Sequence, residues 1–308
     1  MTLIKCPECD RDISDRARAC PNCAHPMPPG AAPRRAAAAA PTPAYTNYSD
    51  FRVAGEMASL WIGIGILLVL ALLSLFTQMW LVLAFVLIGA AIYIWIKQGQ
   101  LLGNAIKVSQ NQFPEVNGVV EQSARRLGIQ RPDVFITYDP MINAFAMGFL
   151  AKKSVVLHSA LVEAMTLEEL QQVIGHELSH IKFGHTSLGV LTNAAAINVF
   201  GVSQVLSLVF LRWSRKAEYS CDRGGLIAGR NLKAAVSAMC KIAVGAELFK
   251  KLDIDHFLKQ QLDVDQNEVA RLSETLIGHP YLVKRIQSIK DFHNSAQYAA
   301  LTAQNTAP

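Results

Sequence analysis

The chain has 308 residues, of which 51% are hydrophobic and 17% charged, with a formal net charge of +5. That length holds one catalytic domain with smaller attachments, and the positive mean hydropathy excludes a plain soluble enzyme. The small, dispersed charge leaves no nucleic-acid footprint. Four of the six cysteines fall within the first 23 residues, which excludes a secreted disulfide scaffold.

The N-terminal stretch CPECDRDISDRARACPNC places Cys6, Cys9, Cys20 and Cys23 as two C-x-x-C pairs. Four thiolates so spaced close a tetrahedral site, which predicts a structural zinc ribbon over residues 1–25. Around them Lys5, Arg11, Arg16 and Arg18 balance Glu8, Asp10, Asp12 and Asp15, so a protein partner suits the ribbon better than nucleic acid. Residues 26–52 are rich in proline and alanine and read as a semi-extended linker. No cleavable signal peptide is visible.

Met57 to Ile96 carries no charge, and Thr77-Gln78 divides it into blocks of 20 and 18 residues. Each is close to the roughly 20 residues that a membrane-spanning helix needs. Trp61, Trp80, Tyr93 and Trp95 fall near the block ends, where interfacial aromatics are favoured. Two transmembrane helices are expected within 53–97. Arg34, Arg35 and Arg52 before them and Lys97 and Lys107 after them place both flanks on the cytoplasmic side of the cell inner membrane, a multi-pass arrangement.

A third domain is expected over 98–293. Residues 97–130 read as helix, with an amphipathic run that ends at Gly128. DVFITY, NAFAMGF and KSVVLHSALV then read as strands of a small antiparallel sheet. Thr166 and Glu169 form a capping box that starts the next helix at Leu167. On it Leu167, Leu170, Ile174, Leu178 and Ile181 make one apolar stripe, and His176 and His180 project from the other side. His185 falls on the apolar stripe and reads as a packing residue or as the support of a ligand.

His176-Glu177-x-x-His180 is the spacing that puts two imidazoles one turn apart on a zinc ion, with Glu177 as general base for the attacking water. Such a site needs a third ligand. The metzincin pattern requires glycine at 183 and histidine at 186, where the chain has Phe183 and Thr186. RKAEYSCD offers Glu218, with Asp222 one turn later placed to orient a ligand histidine. By spacing alone Glu218 reads equally as a ligand and as a solvated helix residue.

Taken in order, NAFA at Asn143, HELSH followed by GH, RKAEYSCD and HPYLVKRI resemble the HtpX-like and CAAX-prenyl-protease membrane metallopeptidases over roughly residues 100–290. The resemblance implies an α+β, mostly helical gluzincin-type domain. It implies His176, His180 and Glu218 as ligands of a catalytic zinc, Glu177 as base and Asp222 behind a ligand. It also puts Asn143 on the strand that receives substrate, and gives His279 and Arg285 a part in stabilising the tetrahedral intermediate. HtpX-like members degrade damaged or misfolded membrane proteins.

Two features depart from the family pattern. Cys221 stands where a small residue is common, and reads as a buried small residue rather than a redox gate. Gly224-Gly225 predicts an early helix end. In GHPYLV a helix is expected to end at Gly278 and a new one to start with His279 as cap and Pro280 in its first turn. Residues 186–211, charge-free until the end, are expected to form a returning helical hairpin that turns near Asn193 to Asn198. A single crossing would separate Glu218 from His180, and these 26 residues are too few for two crossings. Residues 294–308 read as a disordered tail.

The functional expectation is a membrane-tethered zinc endopeptidase that cuts unfolded or membrane-associated polypeptides on the cytoplasmic side, in protein quality control. It would carry one catalytic and one structural Zn2+. The alternative is a non-catalytic membrane adaptor whose ribbon recruits a partner.

Overall fold

The computed structural model describes residues 3–6, 9, 12–14, 23, 51–76, 80–149, 152–187 and 202–303. They fall in two units, Met1–Thr42 and Pro43–Pro308. In the first, β1 (Leu3–Lys5) pairs antiparallel with β2 (Asp12–Ser14). The sulfurs of Cys6, Cys9 and Cys23 gather within 4.8 Å of one another. Cys20 and the expected linker up to residue 50 lie outside the described residues.

The second unit begins earlier than the sequence reading places its catalytic part. Phe51 is buried and stacks on Phe183 with ring centroids 4.8 Å apart. Arg52 Nη2 donates to the Phe183 carbonyl at 3.0 Å. The two apolar blocks are α1 (Glu56–Phe76) and α2 (Trp80–Asn104). Among the described residues one helix, α1, is long and apolar enough to cross a membrane. Much of its outer surface, from Trp61 to Phe76, is exposed, whereas Leu60 near its base packs with Phe210, Trp213 and Ala217.

Residues 97–130 are not continuous helix. After α2 come the short strand β3 (Ile106–Lys107) and then α3 (Pro114–Leu127), which ends at Gly128 in a left-handed conformation with φ 63°. The sheet continues with β4 (Asp133–Thr137), β5 (Ala144–Phe149) and β6 (Lys152–His158), while Ser159–Ala164 is helical (α4) rather than strand. Its order is β3-β4-β6-β5, and it is mixed, not antiparallel. The chain passes the slot beside β4, makes β5 at the edge, and returns as β6 to fill that slot parallel to β4. The physical consequence is an edge strand, β5, with one side unpaired among the described residues.

The motif helix, α5 (Leu167–Lys182), starts where the cap predicts. The Thr166 amide donates to Glu169 at 2.8 Å, and the Glu169 amide donates to Thr166 Oγ1 at 3.3 Å. Leu170, Ile174, Leu178 and Ile181 are buried, but Leu167 is exposed because it stands in the first turn, beyond the core. Residues 188–201, which hold the expected hairpin turn, lie outside the described residues.

The next helix, α6 (Val202–Gly229), runs straight through Gly224 and Gly225 instead of ending there. Close packing on α5 explains it. A Cβ on Gly225 would lie 2.7 Å from the Gln172 carbonyl oxygen, and one on Gly224 would lie 1.8 Å from Ser179 Oγ. Small residues on both helices let their backbones approach. Six helices follow: α7 (Leu232–Val244), α8 (Ala246–Phe249), α9 (Ile254–Gln266), α10 (Glu268–Thr275), α11 (Leu282–His293) and α12 (Ala296–Ala303). The last replaces most of the expected disordered tail, and Tyr298 and Leu301 bury its inner face.

Candidate metal centre

The contact of α5 with α6 builds the site. Glu218, Asp222, Gly225 and Gly229 recur at helical spacing on one face of α6, and that face meets Gln172, Gly175, His176 and Ser179 of α5. The glycines bring the backbones together. The carboxylates one and two turns away are thereby drawn onto the histidines.

His176 Nε2 and His180 Nε2 lie 3.2 Å apart. Glu218 Oε2 is 3.7 Å from the first, and its Oε1 is 3.5 Å from the second. Three potential ligand atoms thus lie within 4.8 Å of one another. Asp222 Oδ1 is 2.9 Å from His176 Nδ1, the nitrogen that faces away from the cluster. Arg285 in turn grips Asp222, with Nε to Oδ2 at 2.8 Å and Nη2 to Oδ1 at 2.7 Å, and its Nη1 stands 3.3 Å from Glu218. His279 Nδ1 is 3.1 Å from Glu218 Oε2, and its side chain is 72% exposed.

The electrostatics follow the distances. Burial alone would raise Glu218, but Arg285, His180, His279 and His176 hold it well below the ordinary carboxylate range. Asp222 is likewise opposed by burial and held down by Arg285 and His176. Glu177 goes the other way: burial and the neighbouring Glu218 charge raise it, against His176, His180 and a hydrogen bond from the Ala146 amide. Two carboxylates are therefore kept ionised and a third is pushed toward the range where it exchanges protons.

This donor set fits a zinc ion. Two neutral imidazoles and one carboxylate are an ordinary three-ligand set that leaves an open position, and Asp222 supplies the support behind His176 that metal sites carry. A second cluster, His180, His185 and Cys221, also gathers its ligand atoms within 4.8 Å. It is more deeply set, with Cys221 fully buried and His185 5% exposed, and its three donors include no carboxylate. Burial pushes the Cys221 thiol up to about 12 and pulls His185 down to about 4 against the hydrogen bond it donates to Glu56. The first cluster opens on a cleft of about 1200 Å³, lined among others by Tyr93, Asn104, Asn143 and Phe145.

Other sequence expectations meet the structure as follows. Asn143 stands just before β5, where its Oδ1 accepts the Ala144 amide at 2.9 Å. The helix after GHPYLV starts at Leu282 with Tyr281 as its cap, so His279 is no cap and Pro280 is outside the first turn. Proline disfavours helical backbone in the residue before it, and the Tyr281 hydroxyl is held by the Ala270 carbonyl at 3.0 Å. Arg285 spends its nitrogens on carboxylates, so its contacts are those of an anchor. His185 both packs and touches His180, Nδ1 to Nδ1 at 3.2 Å. Glu56 and Ser220, which hold His185 from behind, were not singled out; the only trace of Glu56 in the sequence is an acid placed directly before an apolar run.

A helical domain that gathers two histidines, a glutamate and a further carboxylate beside an open sheet edge has the arrangement of the metal-dependent peptidases. Residues 110–293 match the profile described as peptidase family M48, and the chain belongs to that family, as an HtpX-like member. It is 32% identical over 216 residues to the plastoglobule-localized metallopeptidase 48, chloroplastic, of Arabidopsis thaliana, covering 65% of this chain and 63% of the relative. It is 30% identical over 149 residues to protease HtpX homolog 1 of Sulfurisphaera tokodaii, 47% of each. It is 26% identical over 233 residues to a protease HtpX homolog of Streptococcus pyogenes, 62% of this chain and 77% of the relative. The chain spans less than two thirds of the length of the first two. No solved structure matches it.

Proposed function

We propose that the protein is a membrane-tethered zinc endopeptidase that hydrolyses unfolded or membrane-associated polypeptides on the cytoplasmic side, in protein quality control. The observation that carries the reading is the convergence of His176, His180 and Glu218 with Glu177 at the mouth of one cleft. His176, His180 and Glu218 hold the catalytic zinc. When bound, the ion supplies Lewis acidity to a substrate carbonyl and to the attacking water.

The chain's own groups do the rest. Glu177 accepts the proton of the attacking water and returns it to the leaving amine nitrogen, a task suited to a carboxylate raised by burial. Asp222 accepts from His176 Nδ1 and so keeps its Nε2 lone pair turned inward. Arg285 fixes Asp222 and Glu218 together. His279, exposed at the rim, donates to the developing oxyanion. Substrate adds as an extended strand along β5, beginning near Asn143, through main-chain hydrogen bonds that place little demand on sequence.

Membrane tethering is supported by the exposed apolar surface of α1, and α2 acts as the second span. Tyr93 and Asn104 of α2 line the cleft, which suits segments delivered from the membrane side. The Cys6, Cys9 and Cys23 cluster, with Cys20 as fourth ligand, holds a structural zinc and offers a docking module for a protein partner. The test uses detergent-purified full chain and unfolded casein. Cleavage is expected to depend on zinc and to disappear in Glu177→Gln with catalytic zinc retained. Cleavage that survives Glu177→Gln, or a parent protein that binds casein without cutting it, would favour the adaptor.

A further inference from the structure

His176 has an evident support, since its outer nitrogen rests on Asp222. Among the described residues the outer nitrogen of His180 faces no carboxylate. Instead His180 Nδ1 lies 3.2 Å from His185 Nδ1. His185 Nε2 lies 3.0 Å from Glu56 Oε1, on the first residue of α1. The Glu56 side chain is fully buried.

Donor and acceptor roles along this chain follow from its far end. The Val53 amide donates to Ser220 Oγ at 2.9 Å, and the Ser220 hydroxyl donates to Glu56 Oε2. Arg52 Nη1 stands 3.4 Å from Glu56 Oε1. With a hydroxyl donor on one oxygen and a guanidinium beside the other, Glu56 is an ionised carboxylate, and a carboxylate only accepts. His185 must therefore carry its proton on Nε2, and a neutral imidazole has one N–H. Its Nδ1 is then an acceptor. The Cys221 sulfur lies 3.5 Å from that nitrogen, but two lone pairs would face each other across the shorter 3.2 Å contact unless His180 carries its proton on Nδ1. That leaves the Nε2 lone pair of His180 directed at His176 and Glu218, where the metal would sit.

We infer that Glu56 is a positioning residue for the metal centre: acting through His185, it fixes the tautomer and ring orientation of the ligand His180. This rests on the reading of His176, His180 and Glu218 as zinc ligands. It gives the two histidines matched supports, Asp222 directly behind one and Glu56 one imidazole removed behind the other. The surroundings are built to hold the relay. His185 is boxed by Phe183 and Trp213, with ring centroids at 5.6 and 5.4 Å. Arg52, which pairs with Glu56, also donates to the Phe183 carbonyl at the end of α5. The foot of the apolar helix α1 is thereby linked by hydrogen bonds to a metal ligand, so a displacement of α1 acts on the ligand field of the site.

The experiment measures zinc affinity by chelator competition in the detergent-purified full chain, counting the zinc that Glu218→Gln removes. Glu56→Gln is the first variant. An amide turned with its oxygen to His185 Nε2–H can still give its NH2 group to Ser220 Oγ, a hydroxyl that also accepts, so this variant removes the charge of Glu56 and keeps its contacts. The double variant Glu56→Leu/His185→Phe removes the relay, leaves the Arg52 guanidinium on the carbonyl and ring of Phe183, and keeps an aromatic ring between Phe183 and Trp213. Loss of such supports weakens metal binding by about 10–100-fold. That weakening is expected in the double variant and a smaller one in Glu56→Gln, with KM for casein unchanged at saturating zinc in both, and Glu56→Asp is expected to recover part of it. Zinc affinity within twofold of the parent in both variants would overturn the inference. A parent whose zinc content does not fall in Glu218→Gln would instead overturn the ligand assignment beneath it, so the two failures are distinct.

Discussion

Gly225 is a position where one added methyl group should do harm. In the middle of α6, glycine to alanine gains about 0.5–1 kcal/mol from helix propensity alone. Here the added Cβ would sit 2.3 Å from Gln172 Nε2 and 2.7 Å from the Gln172 carbonyl oxygen. The side-chain amide can swing away, but the carbonyl belongs to the backbone of α5. Restoring an ordinary contact near 3.4 Å requires the helices to separate by roughly 0.7 Å, and overpacking of this kind costs about 1–3 kcal/mol. The net expectation for Gly225→Ala is a loss of about 1–2 kcal/mol, a fall in Tm of roughly 3–6 °C for a domain of this size. Activity should suffer more. Glu218 and Asp222 ride on α6 while their histidines ride on α5, and a misplacement of about 1 Å in a catalytic constellation costs on the order of a hundredfold in rate. Thermal unfolding and casein cleavage, measured side by side, test this. A Gly225→Ala protein that melts higher than the parent and cleaves as fast would show that propensity wins and that the close approach does not set the site.

His279→Ala should lower kcat by about a hundredfold while leaving zinc content intact; a change confined to KM would make it a substrate-binding residue. Glu169 is held below its ordinary value of 4.5, because hydrogen bonds from Lys241, Ser237 and the Thr166 amide outweigh its burial. Its contribution to stability is therefore complete above pH 4.5 and is lost as pH falls through the depressed folded value. The unfolding free-energy gap between parent and Glu169→Gln, about 1–2 kcal/mol at neutral pH, should shrink below pH 4.5; a gap that is flat into acid would refute the assignment. Cys221, fully buried and pushed up to about 12 by burial, should resist maleimide in the native protein and react only after unfolding. Rapid native labelling would reopen a redox role.

The parts of the site that were legible in the sequence are those whose chemistry demands residue types at helical spacing. His176, Glu177 and His180 lie within one turn and a half, and the Thr166–Glu169 cap fixes where their helix starts, so local rules suffice. Glu218 and Asp222 were legible as a pair, but spacing alone could not say whether they face a histidine or solvent. Contact between α5 and α6 decides that, and its cause is Gly224 and Gly225, where a Cβ would run into Ser179 and Gln172 of α5. Read as helix propensity, those glycines predict a weak end; read as packing, they explain why α6 can approach at all. The sheet shows a similar limit. Each strand is visible in its β-branched and aromatic residues, while the parallel pairing of β4 with β6 depends on where the chain goes between them. Glu56 lay beyond reach because its partners His185 and Ser220 are 129 and 164 residues away.

The most direct test of the central claim is a crystal structure of the zinc-loaded protein with anomalous data at the zinc edge. One peak in the Pro43–Pro308 unit is expected, with His176 Nε2, His180 Nε2 and a Glu218 oxygen each at about 2.0–2.2 Å. A peak seated among His180, His185 and Cys221 instead, with Glu218 unbound, would contradict the account.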